Sequence, residues 1–191
     1  MRPIGPEGFE AMFQRDSDPW DYAGSPFEAF KREVLLRTCG PRTYGRALEL
    51  ACANGETSRC LARCCLGLLA VDVSPTVIAA ARERVRDPRV TFAVARLPSE
   101  TPRGPFDLIV ASEIFYYMSR SDMDRLLDRL VTALVPGGRI VILHHTLGFD
   151  DAAQPPWAAQ EAAKRRLSGA LTPVLKAQHR RFQVLAFVKP L

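Results

Sequence analysis

Four stretches of this chain combine residue types and spacing that can do chemistry. The first is Glu49-Leu50-Ala51-Cys52-Ala53-Asn54-Gly55-Glu56-Thr57. Small residues in a row let a backbone approach a ligand closely. The amides that open the following helix can meet a carboxylate or a phosphate. The second is Asp72, 17 residues beyond Gly55 at the end of an apolar run. A carboxylate fixed at a strand end beside a glycine-type turn can accept two hydrogen bonds from a ribose diol. The third is the pair His144-His145, which closes another apolar run. A histidine at such an edge is a candidate general base. Alternation puts one ring on each face of a sheet, and His145 is the preferred base. The fourth is Asp16-Ser17-Asp18-Pro19-Trp20-Asp21-Tyr22. Two large aromatics in a turn-like segment predict an arm, residues 1–26, that packs back over the body as a lid.

The elements that must position these residues follow from hydrophobic periodicity. Phe27, Phe30, Val34 and Leu35 predict a helix from Pro26 to about Thr38, with Ser25 as N-cap and Glu28 three residues on. Strands are predicted at Arg46–Ala51, Leu68–Val73, Val90–Val94, Phe106–Ala111 and Arg139–His144. Helices are predicted at Thr57–Leu66, Pro75–Val85 (capped by Ser74), Asp122–Leu134 and near Ala158–Leu167. Two further strands, around Val174–Gln178 and Phe182–Val188, are joined by a short turn, so one of them runs antiparallel. Strands alternating with helices, several of them apolar throughout, predict an α/β fold: a doubly wound, mostly parallel seven-stranded sheet with an antiparallel C-terminal strand. Ligands bind such sheets outside the carboxyl ends of the strands, at the topological switch point.

Composition narrows the possibilities. A chain of 191 residues suits a single domain spanning 1–191. The net charge of +5 is spread along the chain apart from Lys164-Arg165-Arg166 and Arg180-Arg181, which argues against nucleic acid as a partner. No apolar run of membrane-spanning length and no secretory leader are apparent, so no membrane partner and a cytoplasmic location are expected. The five cysteines are odd in number, and three fall within or beside one predicted helix. They read as buried small hydrophobes, with no metal site.

The turn after the first strand lacks the G-x-G-x-x-G of a dinucleotide site and the lysine of a phosphate-binding loop. It resembles instead motif I of class I S-adenosylmethionine-dependent methyltransferases, E-x-G-x-G-x-G, with Glu49 and Gly55 matching and Ala51 and Ala53 in place of two glycines. Phe106-Asp107-Leu108-Ile109-Val110-Ala111-Ser112-Glu113 is similar to that family's fourth strand. Leu134-Val135-Pro136-Gly137-Gly138-Arg139 is similar to its turn before strand five. A narrower resemblance is to the nodulation protein S group of N-methyltransferases. It rests on Asp18-Pro19-Trp20-Asp21-Tyr22, Ser25-Pro26-Phe27-Glu28 and Glu113-Ile114-Phe115-Tyr116-Tyr117.

The resemblance implies an enzyme that uses S-adenosylmethionine in a Rossmann-like methyltransferase fold. It implies cofactor contacts from Glu49, Ala51, Ala53, Gly55, Asp72, Val73, Ala95, Arg96, Leu97 and Ser112. Trp20 and Tyr22 would wall the cofactor, because aromatic faces suit a sulfonium cation. Lys31 would pair with the methionine carboxylate. Glu113 would bind a substrate ammonium and remove its proton, with His145 and Tyr117 beside it. The acceptor implied is a small amine, an amino sugar or a glycosylated natural product. O-methylation of a hydroxyl and a non-catalytic module of the same fold are the alternatives, and a monomer or weak homodimer is expected.

Overall fold

A computed structural model describes residues 3–191. Chain order is α1 (Pro6–Arg15), α2 (Pro26–Cys39), β1 (Tyr44–Leu50), α3 (Glu56–Leu61), β2 (Cys65–Asp72), α4 (Pro75–Arg84), β3 (Val90–Val94), β4 (Phe106–Ser112), α5 (Arg120–Ala133), β5 (Leu134–His145), α6 (Pro156–Ser168), β6 (Thr172–Gln178) and β7 (Phe182–Val188). Single 3-10 turns follow α3 (Ala62–Cys64) and β4 (Phe115–Tyr117).

The seven strands form one sheet in the order β3-β2-β1-β4-β5-β7-β6. β1 to β5 are parallel, and β7 lies antiparallel between β5 and β6. The chain winds outward from β1 to β3, then returns to place β4 on the other side of β1. The switch point, and with it the ligand crevice, therefore lies between β1 and β4.

Side chains alternate across the central strands, so each strand feeds two cores. Leu48, Leu50, Ile109, Ile140 and Ile142 pack with Met123, Leu126, Leu127 and Leu130 of α5 and with Ala159, Ala163 and Leu167 of α6. Ala47, Leu108, Val110, Val141 and Leu143 pack with Leu35 of α2 and with Leu61 on the opposite face. Ile78 and Ala81 of α4 cover Phe92 of β3. Helices on both faces make the strands apolar throughout, as the sequence pattern predicted.

Two elements differ from expectation. α1 lies in the arm, where the sequence predicted no helix; Pro6 sits in its first turn and Phe13 is buried. α3 ends at Leu61 rather than Leu66, because the apolar run from Cys65 joins the sheet beside β1. Cys60, Cys64 and Cys65 are therefore divided among a helix, a turn and a strand. All five cysteines are free thiols. No helix among the described residues is long and apolar enough to cross a membrane.

Candidate functional site

A cavity of about 1000 Å³ opens at the carboxyl ends of β1, β2, β4 and β5, with α1 and the arm forming its far wall. Its floor is the turn after β1. Ala51 and Ala53 hold φ of 53° and 46°, in the left-handed region. Each costs about 1–2 kcal/mol relative to an unstrained residue, and neither presents more than a methyl group to the cavity.

Asp72, at the end of β2, is buried on the wall beside them. Its Oδ2 accepts the Ala53 amide at 3.0 Å and its Oδ1 the Ser74 amide at 3.1 Å. Two backbone donors thus occupy half of the carboxylate's roughly four acceptor positions. Burial raises its pKa, against the lowering effect of those amides. Val73, Ala95, Arg96 and Leu97 continue the wall. The Arg96 guanidinium is paired with Glu7 of α1 at 2.7 Å, an exposed contact.

Gly55 has a different place from the ligand contact expected of it. It lines neither this cavity nor the smaller crevice beside it. Its φ is 82°, and a Cβ there would meet Ala81, Phe92 and Val85 at 3.2 Å each. The glycine lets the turn pack against α4 and β3. Left-handed strain of about 1–2 kcal/mol and overpacking of about 1–3 kcal/mol predict that Gly55→Ala loses about 2–5 kcal/mol in urea unfolding. An unchanged midpoint would show that the turn relaxes instead.

Glu49 is also absent from the main cavity. It lines a crevice of about 40 Å³ together with Lys31, Ala51, Ala53 and Ser112. Its Oε2 accepts from Ser58 Oγ at 2.5 Å. Burial pushes its pKa up to about 8, so it carries a proton at neutral pH.

The expectation for Glu113 is corrected. This residue follows β4 with φ of 55°. Its Oε1 is 2.6 Å from Lys31 Nζ, while its Oε2 accepts from Tyr116 Oη at 2.6 Å and from the His145 amide at 2.8 Å. Burial alone would raise its pKa, but the Lys31 ammonium and these bonds outweigh burial and hold it below the ordinary carboxylate range. A carboxylate whose charge is already matched and whose lone pairs are largely filled is a poor proton acceptor. Glu113 instead ties α2, the 3-10 turn and β5 together.

Lys31 is corrected with it. Burial opposes its charge, yet Glu113 and Glu28 raise its pKa. Its ammonium spends two of three donors on these carboxylates, with Glu28 at 3.0 Å.

The two histidines separate as alternation predicted. His144 is fully buried and stacks on Phe115 at 4.6 Å. Its Nε2 accepts the Phe115 amide at 3.1 Å, and burial lowers its pKa to about 4, so it is neutral and structural. His145 is half-buried and lines the cavity, its Nδ1 3.4 Å from the Leu147 carbonyl. Tyr117 also lines the cavity; burial, then the nearby Asp151, raises its pKa.

The arm closes the far side. Trp20 packs on Phe13 at 5.7 Å and Tyr22 at 5.6 Å, while Phe9 meets Tyr117 edge-on at 4.8 Å. Glu10 accepts from Ser74 Oγ and Thr76 Oγ1, each at 2.5 Å, at the start of α4. Sequence reasoning missed Phe9, Phe13, Glu28, Phe149, Asp151 and Arg181 as cavity residues. The four-residue spacing of Phe9 and Phe13 was the available signal for α1; the others gave none.

Residues 47–138 match a protein family described as a methyltransferase domain. Nodulation protein S of Rhizobium tropici is 33% identical over 127 residues, 65% of this chain and 53% of its own. Trans-aconitate 2-methyltransferase of Methylobacterium nodulans is 31% identical over 128 residues, 62% of this chain and 48% of its own. This chain thus spans about half the length of these two relatives. The crystal structure of the N-methyltransferase NodS from Bradyrhizobium japonicum WM9, in complex with S-adenosyl-L-homocysteine, superposes with a TM-score of 0.82 at 26% identity, covering 95% of this chain and 98% of that one. A candidate methyltransferase from Pseudomonas syringae superposes with a TM-score of 0.73 at 32% identity, covering 85% of this chain and 99% of that one.

Proposed function

This chain belongs to the class I S-adenosylmethionine-dependent methyltransferases, in the nodulation protein S-like group, and from that premise we propose that it methylates the amino nitrogen of a small molecule, an amino sugar or a glycosylated natural product.

The observation that carries the reading is the pairing of Asp72 with a large aromatic-walled cavity. The residues present fit the cofactor. Asp72 keeps two acceptor positions for a ribose diol, on a floor no bulkier than alanine. Val73 and Ala95 to Leu97 flank the adenine. The amino-acid tail reaches toward the crevice lined by Ala51, Ala53 and Ser112. Trp20 and Tyr22 close over the sulfonium, and the arm of residues 1–26 serves as a cover.

When bound, S-adenosylmethionine supplies an electrophilic methyl group on a sulfonium. The chain's own work is then to orient the acceptor nitrogen and to take up its proton. Alignment supplies most of the acceleration and proton removal less. His145 is the cavity-lining histidine and acts as the base, with Tyr117 closing the acceptor side. Glu113 acts through Lys31 and Tyr116 as a positioning residue.

The test has two steps. Calorimetric titration with S-adenosylhomocysteine is expected to give saturable binding. Incubation with S-adenosylmethionine and glucosamine oligomers is expected to add one methyl group by mass. Absence of both heat and thermal shift would make this a non-catalytic module. Methylation at oxygen is the second reading; the trans-aconitate relatives favour it, as does Arg181, a cavity-wall cation stacked on Phe27.

A further inference from the structure

An amine that is methylated at nitrogen arrives largely as an ammonium ion, so its site needs a carboxylate with unspent charge. Five carboxylates line the cavity: Glu28, Asp72, Glu113, Asp122 and Asp151. Glu28 and Glu113 are both bonded to Lys31. Asp72 is held by two backbone amides. Asp122 is bonded to Ser119 and to Arg125. Asp151 alone has no ion pair and no side-chain hydrogen bond among the described residues; its backbone carbonyl accepts from the Ile4 amide at 3.0 Å.

The segment carrying Asp151 is held firmly against the site. Phe149 meets Tyr116 edge-on at 5.0 Å and lies 5.9 Å from Tyr117. The Ala153 amide donates to the Tyr116 carbonyl at 2.8 Å, and Gln154 Nε2 donates to the Phe115 and Met118 carbonyls at 3.2 and 3.1 Å. Asp151 is thus presented by a tethered loop, beside aromatic faces that suit a cation.

We infer that Asp151, rather than Glu113, receives the acceptor's ammonium and is a specificity-determining residue for amines. The inference rests on the amine reading above. A carboxylate facing an ammonium across an aromatic-lined wall discriminates against a hydroxyl, because only the cation matches its charge.

The test uses the full chain saturated with S-adenosylhomocysteine, with glucosamine and glucose as probes and amide chemical shifts as the readout. Glucosamine is expected to bind more tightly than glucose and to shift amides around Asp151 and Tyr117. Asp151→Asn is expected to weaken glucosamine about tenfold or more and to leave glucose, S-adenosylhomocysteine affinity and thermal stability unchanged. Asp151→Glu should restore part of the loss. Glucosamine binding that Asp151→Asn leaves intact overturns the inference while the amine reading stands. Glucosamine that binds no better than glucose, or not at all, overturns both.

Discussion

Replacing Lys31 with methionine is expected to cost about 3–5 kcal/mol of folding stability, the usual range when one partner of a buried ion pair is removed. The Lys31 side chain is 9% exposed, and its partners Glu28 and Glu113 are each 13% exposed. Solvent screening therefore discounts little. Methionine matches the length of the lysine stem, so the loss comes from the charge left behind. Glu113 would keep Tyr116 and the His145 amide as donors but would lose its cation.

The pH dependence of this pair has a definite sign. The folded-state pKa of Glu113 is depressed below its ordinary 4.5. Its contribution is present above that ordinary value and is lost as pH falls through the folded one. The folded-state pKa of Lys31 is raised above 10.5. Its contribution is complete below that value and is lost as pH rises through the folded one. In Lys31→Met the order of effects reverses, because burial then dominates and raises Glu113. The variant should gain stability on acidification over a range where the parent is flat. Urea unfolding at a series of pH values measures this. A Lys31→Met, Glu113→Gln double variant should recover much of the loss. A single variant within about 1 kcal/mol of the parent, at the surface-pair level, would show that Glu113 finds another partner or takes up water.

Most of the fold was legible because strand and helix periods differ. The apolar runs of β1, β2, β4 and β5, separated by amphipathic stretches such as α5, allow few arrangements besides a parallel sheet covered on both faces. The short turn between β6 and β7 required the antiparallel strand. α1 was not legible, since its glycine, its proline and its acidic residues mask a two-phenylalanine stripe that gains meaning only against Trp20 and Tyr117. The site divided in the same way. Asp72 could be placed on the crevice from its strand end, and Val73 and Ala95 to Leu97 from the family resemblance. Roles fixed by side-chain partners could not. Nothing in the sequence shows that Lys31, 82 residues away, reaches Glu113, or that Gly55 faces α4 rather than the cavity. The positive φ at Ala51 and Ala53 was a foreseeable strain, and the structure accommodates it where the Asp72 carboxylate binds the turn.

Asp72→Asn is the second large effect, and it should separate binding from stability. In the parent, each carboxylate oxygen accepts one backbone amide and keeps a position for one ribose hydroxyl. Asparagine has a single acceptor oxygen, and its NH₂ group can only donate. Whichever way the amide turns, its NH₂ side leaves one backbone amide, of Ala53 or Ser74, and one ribose hydroxyl without an acceptor. Hydrogen bonds to a charged acceptor are worth about 1.5–3 kcal/mol each. The expected loss in S-adenosylhomocysteine affinity is about 2–4 kcal/mol, or about thirtyfold to a thousandfold. The free protein should weaken less, because its lost backbone bond is offset in part. Burial raises the Asp72 pKa, so its ionised form opposes folding, and a neutral amide removes that cost. The parent should likewise gain stability and lose cofactor as pH falls through the raised pKa. Calorimetric titration and thermal unfolding of the same sample give both quantities. If Asp72→Asn binds S-adenosylhomocysteine within threefold of the parent, the cofactor's ribose does not sit on this carboxylate, and the placement of the cofactor in the cavity fails with it.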